Sequence, residues 1–232
     1  MELVLLFLLA LGVSSFMPTG ADEEAAAADR ADAEAEPEET TEDPIVPVGT
    51  EADDTITGTA GPDQIDGQEG DDALQGGAGN DRLIGGQGDD TLSGESGGDL
   101  LEGRWGDDSL FGGTGDDTLL GQQGTDTLDG QDGDDQLVLD GADIGIGGAG
   151  VDSFVLTADT AASAMMEVRD YTDGRDMIIV QHDGAVSAPA VTVTDSGADA
   201  VVSINGAPLA TVLGAAGVLT ASDVSLVSAG RT

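Results

Sequence analysis

A nine-residue period runs through residues 49–138 and constrains the fold of this chain more than any other feature. Glycine begins each of ten consecutive segments, from Gly49 to Gly130, and aspartate occupies position 6 in all ten. Position 4 is glycine in nine segments, with Ala52 as the exception, and position 8 is always Ile or Leu. Flexible linkers and collagen have no reason to repeat an aliphatic residue at every ninth position. The period therefore predicts a stacked repeat structure.

The residue types of one segment suit a cation-binding turn followed by a strand. Glycine at positions 1 and 4 permits unusual backbone conformations and leaves carbonyl oxygens uncovered. Aspartate at position 6 adds a short carboxylate, and oxygens of both kinds are the ligands that Ca²⁺ prefers. Positions 7 to 9 predict a three-residue strand whose middle side chain points into a shared interior. The residues expected there are Ile56, Ile65, Leu74, Leu83, Leu92, Leu101, Leu110, Leu119, Leu128 and Leu137.

Residues 49–155 resemble the repeats-in-toxin (RTX) family of calcium-binding nonapeptide repeats, as segments such as GGAGNDRLI and GGQGDDTLS show. The resemblance implies an all-β fold, a parallel β-roll in which two nonapeptides form one coil. It also implies that Ca²⁺ lies between turns two repeats apart, held by the position-6 aspartates and by backbone carbonyls. One side would stack Asp54, Asp72, Asp90, Asp108 and Asp126, and the other Asp63, Asp81, Asp99, Asp117 and Asp135. Five turns on each side leave four gaps, which gives an estimate of eight ions.

The period is interrupted once and then resumes. Residues 139–146 are one residue short of a repeat, and Gly145 stands where the aliphatic residue is expected. Asp143 still falls at position 6 when it is counted back from Gly147. The segment 147–155 restores the pattern with Asp152 at position 6 and Phe154 at position 8. Asp143 and Asp152 are therefore also expected to be metal ligands.

Charge links metal binding to folding. The chain has a net charge of −41, with six arginines and no lysine, so it repels nucleic acids and anionic lipid surfaces. Residues 49–138 contain 23 acidic and two basic residues, and eight Ca²⁺ would leave a net charge of about −5. Without metal, stacking would place carboxylates ~5 Å apart, where they repel strongly. Folding and calcium binding are therefore predicted to be one event. Cysteine is absent, which excludes disulfides and thiolate metal sites.

Some segments depart from the consensus. Position 2 is glycine in only three of the ten, and Glu95 and Arg104 are among the replacements. The terminal sites and those beside these two residues are expected to be the weakest. Trp105, at position 3, is expected on a turn, either as an exposed aromatic or as a contact residue for a partner.

The N-terminus has two parts. Residues 1–20 contain the longest apolar run, whose length suits either an export signal or a short anchor through residues 3–16, and both interpretations stay open. Residues 21–48 are predicted to be a disordered acidic linker, since residues 21–43 hold eleven acidic residues and eight alanines without an apolar face.

Residues 156–232 have the composition of a small C-terminal β region. Short strands are predicted at Met165–Arg169, Met177–Val180, Val191–Thr194, Ala200–Ile204, Leu209–Leu213 and Val224–Val227. Asn205-Gly206 predicts a hairpin. The segment EVRDYTDGRDMIIV resembles the closing segment of RTX rolls, and the region after it resembles a signal for type I secretion machinery, which is a candidate partner. That export route needs no N-terminal apolar segment, so the route is left open.

The sequence favours a binding protein over an enzyme. His182 is the only histidine, which excludes H-E-x-x-H zinc sites and imidazole triads, and the residues before Gly49 leave no space for a catalytic domain. We expect a secreted or cell-surface calcium-binding protein with a structural, adhesion or matrix role and no enzymatic activity. The alternative is an extracellular enzyme or toxin-like effector that uses the C-terminal β region. The surface or matrix partner is not identified by the sequence.

Overall fold

A computed structural model describes residues 46–158, 164–182 and 189–228. The chain divides into two units, Met1–Glu39 and Thr40–Thr232, and the described residues all belong to the second. The predicted signal or anchor segment, 1–20, and the acidic linker up to residue 45 lie outside the described residues. In the described ranges there is no helix long and apolar enough to cross a membrane.

The described chain is a succession of short β-strands. They are β1 (Thr55–Thr57), β2 (Gln64–Glu69), β3 (Ala73–Ala78), β4 (Arg82–Gln87), β5 (Thr91–Ser96), β6 (Leu100–Trp105), β7 (Ser109–Thr114), β8 (Thr118–Gln123), β9 (Thr127–Asp132), β10 (Gln136–Leu139), β11 (Ile144–Ala149), β12 (Ser153–Ala158), β13 (Met166–Val168), β14 (Met177–His182), β15 (Val191–Ser196), β16 (Asp199–Ile204), β17 (Ala207–Val212) and β18 (Val224–Ser228).

The strands form two sheets in which each strand of the repeat region pairs in parallel with the strand two further along the chain. One sheet has the order β1-β3-β5-β7-β9-β11-β13-β17-β16-β15, and the other has the order β18-β14-β12-β10-β8-β6-β4-β2. Equivalent positions of alternate repeats are partners, as in the row of Leu74, Leu92 and Leu110. Two nonapeptides therefore form one coil, and the predicted all-β parallel β-roll is confirmed.

The strands of the repeat are longer than the sequence predicts. Apart from the terminal β1 and the shortened β10, those of the ten repeats have six residues rather than three, because pairing continues from positions 7–9 into positions 1–3 of the next segment. Gly77 pairs with Glu95, for example, and Ala78 pairs with Ser96. The backbone hydrogen bonds of positions 2 and 3 are therefore made to neighbouring coils rather than to water. Each turn is confined to positions 4 to 6.

The interior is an aliphatic ladder, as predicted. Position 8 contributes one side chain from each strand, and from Ile65 to Leu137 these side chains are at most 1% exposed. Ile56 is only partly buried because it belongs to the first strand and has a neighbouring coil on one side only. Each coil buries its aliphatic residues against its neighbours, so stability depends on stacking.

The interruption at residues 139–146 leaves the interior filled. Gly145 is buried, and a Cβ atom there would lie 2.8 Å from Leu139 Cδ1 and 3.2 Å from Phe154 Cδ1. Leu139 and Phe154, both fully buried, occupy the volume that an aliphatic residue at position 145 would take. The stack therefore absorbs a shortened repeat without leaving a cavity there.

Parallel stacking continues beyond residue 155, the predicted end of the roll. β14 and β18 extend one sheet, β13 and β17 extend the other, and β15, β16 and β17 pair antiparallel. The six predicted C-terminal strands are confirmed, with shifts of a few residues at their ends. Asn205 and Gly206 have φ values of 53° and 82°, which the predicted tight hairpin requires. The C-terminal region thus continues the aliphatic core of the roll.

Candidate calcium-binding turns

The position-6 aspartates form two ladders, one along each edge of the roll. The backbone N–H of Asp72 donates to Asp90 Oδ1 at 2.8 Å, and that of Asp90 donates to Asp108 Oδ1 at 2.8 Å. On the other edge the N–H of Asp81 donates to Asp99 Oδ1 at 2.7 Å. One ladder contains Asp54, Asp72, Asp90, Asp108, Asp126 and Asp143, and the other contains Asp63, Asp81, Asp99, Asp117, Asp135 and Asp152. All twelve aspartates predicted as ligands thus stand in these ladders.

The second carboxylate oxygen distinguishes the interior members of the ladders from the terminal ones. In eight of them Oδ2 is buried without a hydrogen-bond partner among the described residues: Asp72, Asp81, Asp90, Asp99, Asp108, Asp117, Asp126 and Asp135. A buried carboxylate oxygen without a partner is costly, and such groups in proteins are normally hydrogen-bonded or coordinate a metal. These eight oxygens fit a bound cation.

Asp54, Asp63 and Asp143 differ because Oδ2 accepts a backbone hydrogen bond within its own turn. The donors are the N–H groups of Thr50 at 2.7 Å, Thr59 at 2.6 Å and Asp140 at 2.8 Å, in that order. These three carboxylates have less unsatisfied acceptor capacity for a metal. That the terminal sites are the weakest stays a prediction.

Position 1 requires glycine because there is no room for a Cβ atom, and not because the backbone adopts an unusual conformation there. A Cβ atom on Gly85 would overlap Asp90 Oδ2, and the same overlap recurs between Gly103 and Asp108. Neither glycine has a positive φ. The unusual conformations occur at positions 2 and 4 instead, for example at Gly86 (φ 130°) and Gly88 (φ 125°). The expectation of unusual backbone conformations is thus confirmed for position 4 and wrong for position 1, where glycine instead leaves room for the carboxylate and for carbonyl oxygens such as that of Gly112 beside Gly94.

Backbone carbonyl oxygens complete the surroundings of each turn. A Cβ atom on Gly88 would overlap the carbonyl oxygen of Gly70, and one on Gly106 would overlap that of Gly88. Among the described residues no three His, Cys, Asp or Glu side chains converge as a metal-binding group. A calcium ion beside these turns would have carboxylate and carbonyl oxygens as neighbours, and Ca²⁺ accepts both kinds of ligand.

Glu95 and Arg104 leave the turn geometry intact. Both adopt the left-handed conformation of glycine at position 2, with φ values of 73° and 86°. Both also keep the strand register, since Glu95 pairs with Gly77 and Gly113. Holding a residue other than glycine in this region costs about 1–3 kcal/mol. The structure does not single out the turns beside them.

Position 5 carries a second ladder that the sequence did not reveal. The Oδ1 atom of Asp71 accepts a hydrogen bond from the N–H of Asp89 at 2.9 Å, and that of Asp89 accepts one from Asp107 at 2.8 Å. Asn80 accepts from Gly98 in the same way, at 3.0 Å. These side chains are exposed, but they bind the backbone of the next coil. An alanine substitution at position 5 would therefore remove a structural hydrogen bond as well as a charge.

Two aspartates missed by the sequence analysis close the repeat region. The N–H of Asp152 donates to Asp176 Oδ1 at 3.1 Å, and the N–H of Thr172 donates to Asp176 Oδ2 at 2.6 Å. Asp170 accepts the N–H groups of Gly147 and Gly148 at 2.8 and 2.7 Å. Asp176-Met177-Ile178 repeats the Asp-x-aliphatic pattern of positions 6 to 8, which is the signal that could have identified it.

Burial raises the pKa of the ladder carboxyls, and neighbouring carboxylates raise it further. The pKa of Asp90 is about 6, raised by burial and by the charges of Asp72, Asp71 and Asp89, while the N–H of Asp72 opposes the shift. The pKa of Asp117 is raised to about 7 for the same reasons, with Asp99 and Asp135 as neighbours. Without a cation, the folded turns therefore bind a proton more tightly than an exposed aspartate does.

Acid is expected to stabilise the metal-free roll. The pKa of these carboxyls is higher in the folded protein than in the unfolded one. Their contribution to the stability of the fold is therefore fully present below about pH 3.8 and is lost as the pH rises through about 6–7. In the presence of chelator, far-UV circular dichroism and thermal unfolding should show a more stable β structure at about pH 4 than at about pH 8. A metal-free protein that is more stable at the higher pH would contradict this expectation.

Asp90→Asn is expected to lower the number of bound calcium ions. Asparagine keeps an oxygen that can accept the N–H of Asp72, but it removes the charge from the buried side of the turn. Equilibrium dialysis with calcium measures the stoichiometry. Asp89→Asn is the matched control, because it removes the same charge from an exposed side chain and keeps an acceptor for Asp107. In about 0.15 M salt, which screens long-range attraction, Asp89→Asn should bind as many ions as the unaltered protein. Equal losses in both variants would mean diffuse polyanionic binding.

Two other residues noted in the sequence lie on strands. His182 is the last residue of β14 and is half-buried. Trp105 is the last residue of β6 rather than part of a turn, because pairing extends through position 3, and 51% of its surface is exposed.

Comparisons with known proteins agree with this geometry. The family model of the RTX calcium-binding nonapeptide repeat (four copies) matches residues 48–83, 66–101 and 102–137. A search of curated protein sequences gave no significant match.

Two solved structures match this chain at low similarity. Extracellular lipase LipA from Serratia marcescens matches with a TM-score of 0.40 and 16% identity over 82% of this chain and 41% of the lipase, so this chain spans about two fifths of that protein. The AlgE6R3 subunit of the Azotobacter vinelandii mannuronan C5-epimerase matches with a TM-score of 0.22 and 22% identity, over 76% of this chain and 79% of the subunit. At these scores neither structure indicates what this chain does.

Proposed function

Residues 48–137 belong to the RTX calcium-binding nonapeptide repeats, and we propose that they make this chain a secreted or cell-surface protein whose roll folds when calcium binds. The observation that carries the proposal is the pair of ladders with eight buried carboxylate oxygens that have no hydrogen-bond partner among the described residues. The repeats bind calcium, and the oxygens of Asp72, Asp90 and Asp108 on one edge and of Asp81, Asp99 and Asp117 on the other are proposed as ligands. A bound ion neutralises carboxylates that otherwise repel one another.

An extracellular location is supported by the kind of site. Calcium sites of extracellular modules are weak, with dissociation constants of about 10⁻⁴ to 10⁻³ M. Such sites would be filled only where calcium is abundant, so the roll would fold after export. Type I secretion machinery acting on the C-terminal region, and an N-terminal signal or anchor through residues 3–16, are the proposed routes to the surface.

We favour a structural, adhesion or matrix role over an enzymatic one. The described C-terminal strands contribute Val168, Val180, Val202 and Val212 to the buried core, so their inward faces are used for packing. The only histidine, His182, stands at the end of a paired strand. An enzyme or toxin-like effector that uses residues 156–232 is the alternative, and it would require converging polar groups in that region.

The location can be tested in cells that produce the protein. We expect an antibody against the roll to detect the protein in calcium-containing medium or on intact cells, where added protease can reach it. Protein that remains inside intact cells, protected from protease, would contradict the proposal. A cytosolic protein detected with the same samples serves as the control for lysis.

A further inference from the structure

A shallow cleft lies across the C-terminal ends of β2, β4 and β6, at the strand positions that directly precede the turns. Its volume is about 240 Å³, and it is lined by Asp66, Gln68, Glu69, Gly86, Gln87, Arg104 and Trp105. Strand register explains the arrangement, because Glu69, Gln87 and Trp105 form one paired row and Gln68, Gly86 and Arg104 form the next. Gly86 stands between Gln68 and Arg104 and has no side chain, because a Cβ atom there would overlap the carbonyl oxygen of Gln68.

Trp105 gives the cleft an apolar wall. It is the only tryptophan of the chain, and half of its surface is exposed at a position where the other nine repeats have small, amide or acidic residues. In register it lies between Gln87 of β4 and Gln123 of β8. A large aromatic ring flanked by amides on a rigid sheet is a typical contact surface for a ligand with both apolar and polar faces.

The polar groups of the cleft are held in place and still have capacity for a ligand. Gln87 Nε2 donates to Glu69 Oε1 at 3.1 Å, which orients both side chains. Glu102 pairs closely with Arg82 at 2.7 Å, whereas its distance to the Arg104 guanidinium is 3.8 Å. The guanidinium has five N–H donors, so this one long ion pair leaves donors for another acceptor. The cleft therefore offers donors and acceptors beside an aromatic face.

We propose that this cleft binds a neutral saccharide. The C–H face of a sugar ring can pack on the indole, while its hydroxyl groups both donate and accept hydrogen bonds with carboxylate, amide and guanidinium groups. The charge of −41 opposes polyanionic ligands, and the mixed lining of Asp66, Glu69 and Arg104 suits hydroxyl groups that both donate and accept, so choline is the cationic competitor in the test below. The small volume suits one unit of an oligosaccharide better than a larger ligand. A calcium-dependent surface protein would thereby attach to glycans.

Trp105 is itself the probe for a test on the full-length, calcium-loaded protein. Cellopentaose, maltopentaose and the pentamer of N-acetylglucosamine are titrated while tryptophan emission is recorded, and calorimetry repeats each titration. We expect a saturable change in emission with at least one of the three. Trp105→Ala should weaken the calorimetric affinity at least about tenfold, and Trp105→Phe should weaken it less.

Two further variants make the result decisive. Phe111→Ala removes a half-buried aromatic of β7 in the other sheet and should leave the affinity unchanged. Gln87→Ala should weaken binding several-fold, as measured by the emission of Trp105. If Trp105→Ala does not regain β structure in calcium, the affinity of Gln87→Ala is the result that tests the proposal. The proposal is overturned by the absence of saturable binding to all three oligosaccharides, by an affinity that Gln87→Ala leaves unchanged, or by tighter binding of oligogalacturonate or choline.

Discussion

Removal of calcium at neutral pH is expected to unfold the repeat region, residues 49–155, and addition of calcium at about millimolar concentration is expected to restore it. The reason is electrostatic repulsion within the ladders. Hydrogen bonds hold the buried carboxylates of Asp72, Asp90 and Asp108 in neighbouring coils, where their negative charges repel one another unless a cation lies between them. With calcium the same groups become ligands. Far-UV circular dichroism should lose and regain its β signal, and small-angle scattering should show expansion and compaction.

Other cations provide the controls for this experiment. Magnesium demands a compact octahedral site and releases its water reluctantly, so at equal concentration it should not restore the β spectrum. Sodium chloride at matched ionic strength screens repulsion without supplying a ligand, and it should leave the protein expanded. An unchanged β spectrum after treatment with chelator would show that the roll does not need metal.

Leu92→Ala is expected to destabilise the calcium-loaded protein by about 2–5 kcal/mol and to raise the calcium concentration at the folding midpoint. Leu92 is fully buried, and in the sheet it pairs with Leu74 and Leu110. Its truncation leaves a cavity between two coils, and folding and binding are coupled, so the lost packing must be offset by more calcium. Denaturant unfolding in saturating calcium and calcium titration followed by circular dichroism measure the two effects.

Ile56→Ala is the matched comparison for Leu92→Ala. Ile56 occupies the same position of the repeat, but it is only partly buried and β1 has a neighbour on one side. Its truncation should cost clearly less. Thr91→Ala, next to Leu92 on an exposed position, should have little effect on either measurement. Equal destabilisation by Leu92→Ala and Ile56→Ala would contradict a stack in which each coil depends on both neighbours.

The period of nine predicted a stacked repeat, because aspartate at position 6 and an aliphatic residue at position 8 recur without insertion through ten segments. The resemblance to RTX repeats implied that two nonapeptides form one coil, which makes residues 18 apart, such as Leu74 and Leu92, neighbours in the sheet. Regular stacking then places Asp72 beside Asp90 and keeps one aliphatic residue per strand in the interior. The spacing is stated directly by the sequence, and the two-repeat coil is what the resemblance added to it.

The tertiary structure decided the features that depend on contacts between coils. The contact with Asp90 Oδ2 explains why position 1 is glycine, and the hydrogen bond from Asp107 gives exposed Asp89 a structural role. Asp176 joins its ladder 24 residues after Asp152, a separation that breaks the period. Trp105 and Asp66 share a cleft because lateral pairing aligns β2, β4 and β6. Repeated spacing brings several of these residues into neighbouring coils, but it does not state which atoms touch. Side-chain packing and the non-periodic loop before Asp176 decide those contacts.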